Sequence, residues 1–143
     1  MRAFTLFEVL IVLGVFLAVA AFTLFMGIDS IVRGSVTAER DMFVSLLLTQ
    51  RTASLVNRDA LPHGVRIDAN QFTMFDGASY AALPASYKTV ARNAAVSVTG
   101  VTLPLDIIFT QLSATTTAVG PVTFEGAPAS LSVDINSEGR VEW

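Results

Sequence analysis

The stretch FTLFEVLIVLGVFLAVAAFTLFMGI, residues 4–28, decides the organisation of this chain. Glu8 is its only charged residue, and the next charge along the chain is Asp29. As an α-helix that rises ~1.5 Å per residue, the stretch would be roughly 37 Å long, which exceeds the hydrocarbon core of about 30 Å in a bilayer. The sequence therefore predicts a membrane-spanning helix over residues 4–28.

The remainder of the chain has the composition of one small soluble domain. The chain has 143 residues, of which 52% are hydrophobic, but charged and turn-forming residues recur throughout after Asp29. Roughly 85 residues remain beyond a long N-terminal helix, which is enough for a single hydrophobic core. We therefore expect a continuation of the helix over residues 29–58 and a head domain over residues 59–143.

The direction of insertion and the fate of the membrane helix are also predicted. Arg2 precedes the apolar stretch, so the positive-inside tendency places Met1 in the cytoplasm and the head outside it. A secretory signal has a shorter apolar region that ends in a small-residue cleavage site, and this stretch does not have that form. We expect the helix to be retained, which gives a single-pass protein of the inner (cytoplasmic) membrane.

Glu8 is unusual because a carboxylate within a membrane helix costs on the order of 2.5 to 3.5 kcal/mol. It either snorkels to water at the cytoplasmic interface or forms a buried ion pair that is made only on assembly. In the second interpretation, cleavage between Ala3 and Phe4 creates an α-amino group that Glu8 of a neighbouring subunit neutralises. Such a pair would favour one axial register between subunits, because any other register leaves a buried charge unpaired.

Residues 3–12, Ala-Phe-Thr-Leu-Phe-Glu-Val-Leu-Ile-Val, strongly resemble the prepilin-type cleavage and methylation motif of type IV pilins and type II secretion pseudopilins. The resemblance implies that residues 1–3 are a leader, that a prepilin peptidase cuts before Phe4 and methylates its amino group, and that Glu8 acts in assembly. The implied partners are that peptidase, membrane lipid and other pilin or pseudopilin subunits. The chain departs from the family at Ala3, where glycine is usual.

Between residues 29 and 58 the apolar residues are spaced as on one face of a helix. The apolar positions are Val32, Val36, Phe43, Leu46, Leu47 and Ala53, and the charged positions between them are Arg33, Glu39, Arg40, Asp41 and Arg51. Turn-forming residues follow, so the helix is predicted to end just before Pro62. This half of the helix either packs against a sheet or is a juxtamembrane linker, and packing is favoured because a linker would leave the apolar face exposed.

After Gly64 the pattern changes to the alternation that is typical of β-strands. Strands are predicted at 65–67 and 72–75 as a hairpin, at 94–98, 105–110 and 121–125, and at 131–135 with a turn and a final strand through Trp143. Residues 78–93 show neither a helical nor a strand-like hydrophobic period and are predicted as loop or short helix. Tyr80 and Tyr87 are predicted to fill small parts of the hydrophobic core. The predicted fold is α+β, in which the long helix packs on an antiparallel β-sheet or sandwich.

The sequence offers little for catalysis or ligand binding. It has one histidine, His63, no cysteine, no Gly-x-Ser-x-Gly turn and no glycine-rich phosphate loop, so we predict neither an enzyme nor a metal or cofactor site. His63 follows a proline and is interpreted as a solvated turn residue. The net charge of −3 argues against DNA binding, and Lys88, Arg92 and Arg140 are interpreted as solvated surface cations.

The order of a helix followed by strands resembles the GspH/FimT group of minor pseudopilins, whose heads are sandwich-like. The resemblance rests on residues 48–53 near the helix end, residues 64–65 at a strand start and residues 139–141 near the end of the chain. It implies a structural subunit, a minor pilin or pseudopilin, of a type IV pilus or type II secretion-type filament. The alternative is an uncleaved, signal-anchored extracytoplasmic module for binding or adhesion, in which the helix is only a tether.

Overall fold

The computed structural model describes residues 5–143, with side chains described for residues 5–22 and 30–143. Within this range the chain forms one α-helix, two short 3-10 helices and two four-stranded antiparallel sheets, so the predicted α+β class is confirmed. The helix is α1 (Leu6–Leu55), and the 3-10 helices are Arg58–Ala60 and Pro84–Ser86. The strands are β1 (His63–Ile67), β2 (Gln71–Asp76), β3 (Lys88–Ala91), β4 (Ser97–Thr99), β5 (Leu105–Phe109), β6 (Gly120–Gly126), β7 (Ala129–Ile135) and β8 (Val141–Glu142).

The helix α1 has 50 residues and stops where the backbone leaves the helical region. Val56 is its C-cap, and the next residue, Asn57, has a left-handed φ of 56°. Asparagine is one of the few residue types that adopt this conformation routinely, so it can end a helix without glycine. The helix was predicted to end just before Pro62, but α1 ends earlier, at Leu55, and the first 3-10 helix lies between the two.

The N-terminal part of α1 coincides with the predicted membrane span. Among the residues that the structure describes, no helix satisfies both the length and the apolarity needed to cross a membrane. The span at 4–28 accordingly stays a prediction.

The two sheets are built from antiparallel neighbours. The first has the strand order β3-β2-β1-β5, and the second has the order β4-β6-β7-β8. The predicted hairpin is confirmed in the first sheet, where Ile67 of β1 pairs with Phe72 of β2. In the second sheet the strands predicted at 121–125 and 131–135 pair as β6 and β7, and the final strand β8 ends at Glu142 rather than at Trp143.

Phenylalanines from the helix and from each sheet form the centre of the core. Phe43 of α1 stacks on Phe72 of β2 and also contacts Phe124 of β6, with 5.4 Å between ring centroids in both pairs. All three rings are fully buried. Of the apolar positions predicted for the inner face of this half of the helix, Val32 is half-buried and the others are buried. Packing against a sheet is therefore confirmed, and the unpacked linker is wrong.

Two predictions for the head were wrong in detail. Residues 88–91, predicted within a loop or short helix, form the edge strand β3, and the strand predicted at 94–98 is found as β4 at 97–99. Three of the four side chains of β3 are exposed, so this strand has no alternation of buried and exposed residues for a sequence pattern to show. Pairing with β2, in which Val90 lies opposite Phe72, fixes it as a strand.

Candidate functional site

The first turn of α1 contains the predicted assembly residue, Glu8. Thr5 is the N-cap of the helix, and its side-chain oxygen accepts a hydrogen bond from the backbone N–H of Glu8 at 3.3 Å. Glu8 is the third residue of the helix, which is the Thr-x-x-Glu spacing of a capping box. Its carboxylate also lies at the end of the helix where the macrodipole favours negative charge. This capping role was not predicted, although the Thr-x-x-Glu spacing is visible in the sequence.

The carboxylate of Glu8 is exposed and has no side-chain partner among the described residues. The predicted cleavage site between Ala3 and Phe4 lies outside those residues. The chain separates Phe4 from Glu8 by four residues, which is about one helical turn.

The segment from Leu6 to Phe22 exposes apolar side chains in every direction. Every large apolar side chain in this segment is more than half exposed, from 51% at Ile11 to 85% at Leu6. A contiguous apolar surface of this kind marks contact with a membrane or with another protein. We call it the apolar segment.

The other half of α1 is fixed to the head by a buried ion pair between Glu39 and Arg92. The Nε atom of Arg92 donates to Oε1 of Glu39 at 3.0 Å, and the backbone N–H of Asn93 donates to Oε2 of Glu39 at 3.1 Å. The rest of the Arg92 guanidinium donates to the backbone carbonyls of Asp68, Ala69 and Val96. Both charged side chains are less than a tenth exposed, at 8% for Glu39 and 2% for Arg92.

This pair corrects the interpretation of Arg92 as a solvated surface cation. Glu39 was recognised only as one of the charged positions along the helix. The partners lie 53 residues apart in the sequence, so neither the helical period nor the strand alternation relates one to the other. A charged residue on the inner side of the helix, between buried Val36 and Phe43, was the signal that could have indicated it.

Two uncharged polar residues of α1 bond the strand ends of the first sheet. Gln50 donates to the backbone carbonyls of Gly64 and Phe75, at 3.1 and 3.2 Å. Ser54 donates to the carbonyl of Phe109 and accepts from the backbone N–H of His63. Both side chains are buried, so these bonds are shielded from water and fix the helix relative to β1, β2 and β5.

The interpretation of His63 as a solvated turn residue is wrong. His63 is the first residue of β1 and is fully buried. Its Nδ1 atom lies 2.5 Å from Oδ1 of Asp76, and its Nε2 atom lies 3.0 Å from the backbone oxygen of Arg58. The predicted turn included His63, whereas the residue lies in the strand and its ring points into the head, because the pairing of β1 with β2 sets His63 opposite Asp76.

Tyr80 and Tyr87 form a half-buried cover on the outer face of the first sheet. Their rings stack with 4.5 Å between centroids, and the guanidinium of Arg66 lies 4.2 Å above the ring of Tyr80. Burial lowers the pKa of Arg66, but the hydrogen bond to Asp68 and the charge of Asp106 outweigh it, so the pKa is raised. Desolvation, together with the neighbouring Tyr80, raises the pKa of Tyr87. The two tyrosines close over the sheet rather than fill the central core.

The remaining predicted cations are not gathered into a binding surface. Lys88 lies exposed on the edge strand β3, and Arg140 is exposed and pairs with Glu142 at 3.2 Å. Arg92 is inside the head. Within the part of the chain that the structure describes, no group of three His, Cys, Asp or Glu side chains could hold a metal ion.

Comparison of the chain with models of protein families, with curated proteins and with solved structures found no match.

Proposed function

We propose that this chain is a structural subunit, of the minor pilin or pseudopilin kind, in a type IV pilus or type II secretion-type filament. A prepilin peptidase cleaves it between Ala3 and Phe4 and methylates the new amino group. Before assembly the helix over residues 4–28 holds the subunit in the inner membrane with its head outside the cytoplasm. After assembly the same helix packs among those of other subunits.

The observation that carries this proposal is the contrast between the two halves of α1. The apolar segment is exposed on all sides, whereas the half from Val36 to Ser54 is bound to both sheets by buried apolar and polar contacts. One continuous helix thus carries the exposed apolar segment at one end and is packed against the head at the other. Lipid can cover the apolar segment before assembly, and the apolar segments of other subunits can cover it afterwards. A filament subunit that starts in a membrane requires both kinds of contact.

Glu8 has a defined role in this proposal. Its carboxylate is at the exposed first turn and without a side-chain partner among the described residues, so it is available to the amino group of a neighbouring Phe4. In the apolar interior of a filament an unpaired carboxylate would be strongly unfavourable. The pair therefore favours the one axial offset between subunits that brings the two charges together.

Processing is the first experiment. The intact mass and N-terminal sequence are measured for protein from membranes of cells with and without a prepilin peptidase. We expect loss of residues 1–3 and one added methyl group on Phe4 only when the peptidase is present. An unprocessed N-terminus in both strains would refute the filament subunit and support the signal-anchored binding module.

The assembly role of Glu8 is tested with Glu8→Gln, which keeps the shape of the side chain and removes its charge. We expect normal membrane insertion but loss of the subunit from sheared filaments, measured by its ratio in the filament and membrane fractions. Glu138→Gln, at an exposed glutamate of the β7–β8 turn, is the matched control and should assemble as the unmodified chain does. Normal incorporation of Glu8→Gln would refute the ion pair.

A further inference from the structure

A groove with a volume of about 770 Å³ lies between α1 and Trp143, and the proposed function does not use it. Its helical wall extends from Arg40 to Thr52, over more than three turns of α1. The apolar part of this wall is formed by Val44, which is 5% exposed, and Leu48, which is 38% exposed. We call it the Trp143 groove.

Trp143 lies in the groove because of the pairing of the last two strands. β8 pairs with β7 and ends at Glu142, so the next residue is placed beside α1. The side chain of Trp143 is 61% exposed, although tryptophan is among the residues that gain most from burial. Within residues 5–22 and 30–143, no aromatic ring or cation stacks on the indole. The indole is therefore available to a ligand.

Two threonines on the helical wall present hydrogen-bond acceptors. The hydroxyl of Thr49 donates to the carbonyl of Ser45, and the hydroxyl of Thr52 donates to the carbonyl of Leu48, both at 2.7 Å. Each hydroxyl has a single proton, so both oxygens have only lone pairs left for a further partner. A ligand that bonds these two exposed side chains must therefore bring its own donors.

The charged residues of the groove neutralise each other. Oδ1 of Asp41 accepts from Nε of Arg40 at 2.9 Å and lies 2.7 Å from Nη2 of the same guanidinium. Oδ2 of Asp41 has no hydrogen-bond partner among the described residues and is a third acceptor. Because Arg40 and Asp41 cancel, the groove attracts neither an anion nor a cation strongly. Its chemistry suits a neutral ligand that has hydroxyl donors and an apolar face.

We propose that the Trp143 groove binds a neutral carbohydrate, with one sugar ring packed on Trp143 and hydroxyl groups bonded to Thr49, Thr52 and Asp41. A pyranose ring has C–H groups on its faces and hydroxyl groups around its edge. The C–H groups are attracted to the negative face of the indole, and the hydroxyl groups supply the donors that the groove lacks. This inference does not depend on the proposed function, because it concerns the head of an anchored binding module equally well.

Binding is measured by the fluorescence of Trp143, which is the only tryptophan of the sequence. The full-length chain is held in micelles of a zwitterionic detergent without a sugar headgroup, and is titrated with the methyl glycosides of glucose, galactose, mannose and N-acetylglucosamine. We expect a saturable change with at least one glycoside and a Kd of about 1 mM, because a single ring makes few contacts. The absence of a saturable change with all four would overturn the proposal.

Sorbitol separates ring stacking from simple hydrogen bonding. It has the hydroxyl groups of a sugar but is an open chain without a ring face, so we expect no saturable change in the fluorescence of Trp143. A response to sorbitol as strong as the response to the glycosides would overturn the stacked ring.

A threonine variant tests the location of the site. Thr49→Val keeps the shape of the side chain and removes the acceptor, so we expect the Kd for the glycoside to rise about three- to tenfold. Thr89→Val is the matched control, because Thr89 is an exposed threonine of the edge strand β3 and does not line the groove. We expect the control to bind as the unmodified chain does. Equal Kd values for Thr49→Val and Thr89→Val would overturn the assigned site.

The role of the indole needs a readout that does not use its fluorescence. Saturation-transfer NMR observes the glycoside itself, and we expect the transferred signal to be lost in Trp143→Ala. Near-ultraviolet circular dichroism of the aromatic core checks that this variant is folded. A transferred signal that persists in folded Trp143→Ala would overturn the proposal. If the variant does not fold, the comparison of Thr49→Val with Thr89→Val still decides.

Discussion

Replacement of Glu39 by alanine tests whether the helix is fixed to the head by its buried ion pair. The change removes the carboxylate that accepts from Nε of Arg92 at 3.0 Å and from the backbone N–H of Asn93 at 3.1 Å. The guanidinium of Arg92, with 2% of the side chain exposed, is then a buried charge without a counter-charge.

The magnitude follows from what Arg92 loses and what it keeps. Removal of one partner from a buried ion pair costs about 3 to 5 kcal/mol, mostly because the other charge stays buried. Arg92 keeps its bonds to the carbonyls of Asp68, Ala69 and Val96, which still stabilise the cation. We therefore expect the lower end of the range, about 3 kcal/mol, for Glu39→Ala. Glu39→Gln should cost less, about 2 kcal/mol, because the amide oxygen can still accept from Arg92.

The assay is urea unfolding of the full-length chain in detergent micelles, followed by near-ultraviolet circular dichroism of the aromatic core. With a denaturant slope of about 2 kcal/mol per molar urea, a loss of about 3 kcal/mol moves the midpoint down by roughly 1.5 M. Glu142→Ala is the control, because Glu142 pairs with Arg140 at 3.2 Å but both side chains are more than half exposed. Such exposed pairs contribute little, so the control should barely move the midpoint.

Equal shifts of the urea midpoint in Glu39→Ala and Glu142→Ala would refute the stabilising role of the buried ion pair. That result would mean that water reaches the guanidinium of Arg92 and that burial does not set the energy of the pair. An unchanged midpoint combined with a changed slope would instead show that the unfolded state had altered, and the comparison would then rest on Glu39→Gln.

Three further predictions concern the core at Phe43, the turn at Gly139 and the stacked tyrosines Tyr80 and Tyr87. Phe43→Ala should lower the free energy of unfolding by about 3 to 5 kcal/mol, measured by the same urea titration, because its fully buried ring joins the helix to both sheets. Gly139→Ala should cost more than about 2 kcal/mol, because φ is +69° and an added Cβ would overlap the carbonyl oxygen of Ala114; a thermal midpoint equal to that of the unmodified chain would contradict this. Tyr87 should ionise at a higher pH than an ordinary tyrosine in an ultraviolet titration, because its pKa is raised by desolvation and by Tyr80. Since the folded state favours the neutral phenol, its stabilising contribution is present below pH ~10 and declines above it, and Tyr87→Phe should lack that decline.

The organisation of the chain could be predicted from the sequence because it depends on local patterns. The apolar run, the helical spacing that includes Val36 and Phe43, and the alternation in β1, β2 and β7 are each visible within a few consecutive residues. The capping position of Glu8 also follows from local spacing, since Thr5 precedes it by three residues. The α+β class follows from these patterns, because hydrophobic burial gives each element its own period.

The polar interior was decided only by the tertiary structure. Arg92 and His63 have unremarkable neighbours in the sequence, and one was interpreted as a surface cation and the other as a solvated turn residue. Their partners are brought to them by packing and by strand register: Glu39 by the placement of α1 on the head, and Asp76 by the pairing of β1 with β2. A buried charge is stable only beside a specific counter-charge, and no short-range pattern records which distant residue that is. The sequence alone therefore determined where the helix and most of the strands form, whereas the fold determined which charges they bury together.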